Sequence, residues 1–119
     1  MDPHFDGIIF KTHAAELERR MRYPHPPFVV LDVRPAVERG LGMLPGAMAV
    51  SSADLSVLPP GTTAKTEFFV VGSGPYDEEV RRTTLRLREL GAARVVELTG
   101  GMSEWESFGH ALAPADRGA

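Results

Sequence analysis

Apolar residues along the chain fall into two alternating patterns, short unbroken runs and longer stretches in which they recur every third or fourth position. The runs "GIIF" (7–10), "FVVLDV" (28–33), "FFVV" (68–71) and "RVVEL" (94–98) read as strands, and "LPGAMAV" leads into a shorter one at 48–50. An unbroken apolar run with a polar tip, as in "FVVLDV", fits a central strand covered on both faces. The helical spacing begins in "THAAELERRMR", where Thr12 is placed to cap the N-terminus and Ala14, Leu17 and Met21 share one face before "YPHPP" ends it. "PAVERG" predicts a turn of helix with Pro35 near its start, and "SSADLSVL" a capped helical turn before the breaker "PPG" at 59–61. From Asp77 to Leu90 the stripe is Val80, Thr83, Thr84, Leu87 and Leu90, closed by Gly91, with Leu85 off it. "MSEWESFG" predicts the last helix, with Trp105 anchored in the core beside Met102 and Phe108 or Gly109.

Strands alternating with helices imply an α/β domain whose parallel sheet is joined by right-handed crossovers. Ligands of such sheets bind beyond the carboxyl ends of the strands. That rule brings together Asp32 to Arg34, Gly72 to Asp77 and Thr99 to Gly101. The expected domain spans 1–119, with 1–6 and 113–119 as frayed tails.

Composition narrows the function. At 119 residues, 43% hydrophobic and 24% charged, the chain has the make-up of one soluble globular domain. No apolar run approaches the ~20 residues that span a bilayer, and the first residues lack a basic and then apolar leader pattern, so a cytoplasmic setting without membrane contact is expected. The net charge of −3 gives no electrostatic reason for a nucleic-acid partner. Arg81, Arg82, Arg86 and Arg88 do gather, but Asp77 and Glu78 precede the first two by four residues, which predicts ion pairs on a solvated helix face. The chain has no cysteine, so disulfides, thiolate metal ligands and thiol catalysis are all excluded.

The chain resembles the rhodanese-like domains in "VVLDVRPAVERGLGMLPGAMAV" (29–50), in the strand, loop and helix of 68–90, and in "GAARVVELTGGMSEWESFGHAL" (91–112). "LDVR", "LPGA" and "GGMSEW" are each weak alone, and specific in this order and spacing. The resemblance implies a three-layer α/β domain with a central, mainly parallel sheet of about five strands flanked by helices. Active members are similar in placing a cysteine first in the loop after the fourth strand, where it carries a persulfide. Counting forward from the strand puts Gly72 there, and counting back from the helix puts Gly74 there, which implies a longer loop. Neither glycine can act. Met43 stands where the family has a histidine, a second change at the same end.

A thiolate stores sulfur through S–S bonding in a way no hydroxyl imitates, so thiol-based sulfurtransferase or phosphatase chemistry is excluded. Asp77, Glu78 and Glu79 fill the first helical turn, where their charge takes the part of a bound anion. The vestigial loop is therefore Gly72, Ser73, Gly74, Pro75, Tyr76 and Asp77, framed by Asp32, Arg34, Met43, Gly100 and Gly101. Asp32 and Arg34 are expected to brace it. Pro75 and Tyr76 are expected to pack in the loop, to cap its pocket, or to present an apolar tip to another protein. Ser73 is the alternative nucleophile, lacking a base assigned by motif. His4, His13, His25 and His110 offer no metal-binding spacing and are expected to face solvent or bond locally. No cofactor or metal is implied. The expected function is that of a catalytically inactive interaction, regulatory or small-ligand module, its partner a protein or a small ligand at the loop.

Overall fold

The computed structural model describes residues 8–23 and 26–113. In chain order the elements are β1 (Phe10–Thr12), α1 (Ala14–Arg22), β2 (Phe28–Asp32), α2 (Ala36–Arg39), β3 (Met48–Ala49), a 3-10 turn (Ser52–Asp54), β4 (Glu67–Val71), α3 (Glu78–Glu89), β5 (Arg94–Leu98) and α4 (Gly101–Ser107). The strands form one five-stranded sheet in the order β1-β5-β4-β2-β3, with every pairing parallel. This is the α/β architecture expected from the alternating patterns.

Successive residues of a strand face opposite sides of a sheet, so each central strand serves two cores. Val30, Phe69, Val71, Val96 and Leu98 pack with Ala14 and Leu17 of α1 and Met102 and Trp105 of α4. Leu31, Phe68, Val70 and Val95 face the other way, toward Val80 and Leu87 of α3. The double covering explains why β4 reads as an unbroken apolar run.

Several local expectations are corrected. The first strand begins at Phe10 because pairing with β5 starts at Phe10 opposite Val96, leaving Ile8 half exposed; Gly7 lies outside the described residues. Thr12 does not cap α1. His13 is the N-cap residue and makes no side-chain cap, because Glu104 of α4 supplies the acceptor, taking the Ala14 N–H at 2.6 Å. Phe108 is 68% exposed, and Trp105 is held instead by Met102, the His110 ring at 4.7 Å and a hydrogen bond from its Nε1 to the Ala111 carbonyl at 2.8 Å. Ala113, at the head of the expected tail, exchanges both backbone hydrogen bonds with Met43, at 2.9 and 2.8 Å.

The arginines of α3 are not all on a solvated face. Arg82 does pair with Glu78 at 3.0 Å, but Arg81 turns to Glu97 rather than Asp77. Arg86 reaches the Leu55 carbonyl at 2.7 Å, and Arg88 is buried, donating to the Ile8 carbonyl at 2.7 Å. A helix lying across a sheet buries more than its apolar stripe, and long cationic stems can extend from beneath it.

Candidate functional site

The carboxyl ends of β2, β4 and β5 bring the three expected segments together. Asp32 and Arg34 are buried and locked to each other: Arg34 Nε lies 3.1 Å from both Asp32 oxygens and Nη2 lies 2.8 Å from Oδ2. Arg34 Nη2 also donates to the Gly42 carbonyl at 2.6 Å. The pair fastens the chain after α2 to the end of β2. Met43 is buried, and its backbone bridges Ala113.

After Val71 the chain turns through Gly72 to Asp77 into α3. Asp77 caps the helix in the usual way, Oδ1 accepting the Glu79 N–H at 2.9 Å. Its other oxygen turns back and accepts the Ser73 N–H at 3.1 Å. A Cβ built on Gly72 would lie 2.5 Å from Asp77 Oδ2 and 2.6 Å from Val80 Cγ2. The space just after β4 is thus filled by a carboxylate from within the loop.

The loop carbonyls are engaged as well. Gly72 O accepts from the Met102 N–H at 2.8 Å, and Ser73 O accepts from the Ser103 N–H at 3.0 Å and its hydroxyl at 2.8 Å. This close seating on α4 requires Gly101, which has φ +59° and whose Cβ would lie 2.7 Å from both Gly72 O and Gly74 N. Gly100 is the residue before the helix. Of the two candidate nucleophile positions, Gly72 abuts Asp77, whereas a Cβ on Gly74 would meet Ser103 Oγ at 3.2 Å.

Ser73 Oγ donates to Glu38 Oε1 at 2.7 Å, an acceptor on α2 that sequence spacing did not reveal. Neither described histidine lies beside the loop: His13 sits 3.2 Å from Glu104, and His110 packs on Trp105. His4 and His25 lie outside the described residues. Tyr76 is not packed in the loop; it is fully exposed, at φ 63°. Such a backbone is uncommon for a residue other than glycine.

A cleft of about 480 Å³ lies between α2 and the loop, with Glu38, Asp77 and Glu79 at its wall beside Arg34 and Arg39. Arg34 is committed to Asp32, and Arg39 donates to the Arg34 carbonyl at 3.1 Å. Glu79 accepts the Ser52 hydroxyl at 2.7 Å. The cleft therefore presents carboxylates where an anion-holding loop would present donors. Among the described residues no group of histidines and acids is arranged to hold a metal, and no helix is long and apolar enough to cross a membrane.

A parallel sheet flanked by helices, with a strand-to-helix loop at its carboxyl edge, defines a wound α/β domain. Its family follows from comparison: the family model described as "Rhodanese-like domain" matches residues 13–108, and the chain belongs to that family. No curated protein matches. Among solved structures, the rhodanese-like domain of the Alr3790 protein from Anabaena sp. is 28% identical with a TM-score of 0.74, the alignment covering 94% of this chain and 86% of that one. The BH2092 protein from Bacillus halodurans shares the fold at 20% identity and a TM-score of 0.79, with 89% and 77% covered. A rhodanese-like domain protein from Staphylococcus aureus shares it at 19% identity and a TM-score of 0.72, with 91% and 100% covered. With no cysteine in the chain, a thiol-based sulfur transfer has no reagent here.

Proposed function

We propose that this protein is a catalytically silent rhodanese-like domain that works by binding another protein at its modified loop. The observation that carries the reading is Asp77, whose carboxylate stands where a side chain on Gly72, one of the two candidate nucleophile positions, would lie and takes the Ser73 N–H. Beside it, Tyr76 is held fully in solvent, and Val37 and Leu41, around the helix that holds Ser73 through Glu38, are 80% and 85% exposed. Tyrosine and apolar side chains turned outward suit the centre of a protein interface. Neither nucleic acid nor membrane is part of this reading. A cytoplasmic setting is, supported by a cysteine-free composition.

The test has two arms. Purified protein should show no turnover of thiosulfate with cyanide. Affinity isolation with wild type and Tyr76→Ala should give different sets of bound proteins, whereas identical sets would remove the loop from the interface. The contact between Ser73 and Glu38 favours one second reading, acyl transfer through Ser73. A fluorophosphonate probe that leaves Ser73 unlabelled on the native protein, while labelling a serine hydrolase in the same vessel, ends that reading.

A further inference from the structure

The sheet face under α3 is not covered to its margin. Glu97 of β5 lies on that face, where its strand neighbour Val95 is apolar and packs under α3. Yet Glu97 is a carboxylate only 5% exposed. A buried charge must be paired and hydrogen-bonded. Arg81 Nε and Nη2 meet it at 2.8 and 3.1 Å, and the Thr84 hydroxyl donates at 2.8 Å. Next to it in register on β1 stands Lys11, which projects to the same side.

Above these residues is an open cleft of about 440 Å³ between the β1–β5 margin and the start of α3. Val80 and Pro75 give it apolar surface, and Tyr76 stands at its lip. Its volume is in the range of sites that hold small organic molecules.

The charges in the cleft sort into those already used and those still available. Glu97 is held by Arg81 and Thr84. Asp77 is held by the Ser73 and Glu79 N–H groups, and Glu78, also on the cleft wall, pairs with Arg82 at 3.0 Å in solvent. Three donors remain without a hydrogen-bond partner among the described residues: the Lys11 ammonium, the Thr99 hydroxyl and Arg81 Nη1. A brace between α3 and β5 would need the Arg81–Glu97 pair alone. It would need neither a lysine in register beside it nor open volume above it.

We propose that this cleft binds a small organic anion, a carboxylate carried on a planar apolar body. The carboxylate is met by Lys11 and Arg81, and the body lies against Val80, Pro75 and the Tyr76 ring. Glu97 acts as a positioning residue that holds the guanidinium toward the ligand. The site lies toward β1 rather than toward α2, and the inference does not rest on the protein-binding reading above.

A titration of the full chain with phenylacetate, followed by amide proton–nitrogen correlation spectra, tests it. Saturable shifts are expected at Lys11, Tyr76 and Thr99, with far weaker effects from phenylacetamide and from inorganic phosphate. Lys11→Ala, at an exposed position on an edge strand, should raise the apparent Kd about tenfold, the loss of one hydrogen bond to a charged group, while leaving distant amides unmoved. Absent shifts, equal shifts with phenylacetamide, equal binding of phosphate, or a Kd unaffected by Lys11→Ala would each overturn the proposal.

Discussion

Asp77 occupies the space that a side chain on Gly72 would need: a Cβ there would lie 2.5 Å from Asp77 Oδ2, closer than real contacts allow. The same oxygen accepts the Ser73 N–H. The bare position at residue 72 and the inward turn of the acid at residue 77 are therefore coupled by one steric constraint. Without a side chain on residue 72, the carboxylate can turn inward, and its charge satisfies donors that would otherwise need a ligand.

Introducing a thiol at residue 72 should accordingly fail. Gly72→Cys is expected to show no transfer of sulfur from thiosulfate to cyanide and to lose stability, since overpacking a filled site costs about 1–3 kcal/mol. Asp77→Ala alone removes a cap and should cost about 0.5–2 kcal/mol. Combined, the two should cost less than their sum, because the new side chain enters space the acid has left. Urea unfolding of the three variants measures this coupling, and simple additivity would show that the two side chains do not compete.

Two glycines with left-handed backbones give a sharper contrast. At Gly91, φ is +99° and a Cβ would meet nothing within 4 Å, so Gly91→Ala should cost only the conformational penalty of about 1–2 kcal/mol. At Gly101 the same substitution would also push into the backbone of Gly72 and Gly74, 2.7 Å away. Its loss of stability should exceed that of Gly91→Ala by at least about 1 kcal/mol. Equal losses in denaturant unfolding would mean that the loop is free to move off α4.

These glycines also show what the sequence made readable. "GGMSEW" was visible as a spacing, but its cause, the seating of residues 72–74 on the first turn of α4, is a contact between segments some thirty residues apart. The stripe of α3 could be read directly, with Val80, Thr83, Thr84 and Leu87 all buried, because helix periodicity is local. Asp77, expected within the first helical turn, is instead the N-cap residue of a helix that starts at Glu78. What spacing could not supply was the destination of charged groups whose partners are distant in the chain. Arg81 chose Glu97 over Asp77, and Glu104 replaced Thr12 as the cap of α1. An acid in an otherwise apolar strand, as in "RVVEL", was the available sign that a buried partner was required.

Adjacent threonines on α3 should respond in opposite ways to the same substitution. Both are fully buried. Thr84 Oγ1 donates to Glu97 and contacts the Val80 carbonyl at 3.0 Å, whereas Thr83 Oγ1 is buried with no hydrogen-bond partner. Thr83→Val removes an unsatisfied hydroxyl, and the thermal midpoint should hold or rise. Thr84→Val strips Glu97 of a donor and should cost about 1–3 kcal/mol. A fall of similar size in both variants would contradict the assignment of the hydroxyls.

The pH dependence of stability should trace to carboxylates that the fold holds ionised. Glu104 lies below the ordinary value of 4.5, chiefly through the Ala14 N–H, with His13 assisting and partial burial opposing. For Glu97 burial is the largest single influence and acts upward, but the hydrogen bonds from Arg81 and Thr84 and the charges of Arg81 and Lys11 together outweigh it and lower the pKa. A group whose folded pKa lies below its unfolded one binds fewer protons in the native state. Its contribution to stability is complete above the unfolded value and is lost as pH falls through the folded one. The urea midpoint should therefore change little from neutrality down to the ordinary carboxylate range and decline below it. Glu104→Gln keeps an oxygen to accept from Ala14 but cannot titrate, so it should lower stability at neutral pH and flatten the acid decline. An acid decline as steep in Glu104→Gln as in the wild type would show that the cap between α4 and α1 is not among the groups that titrate.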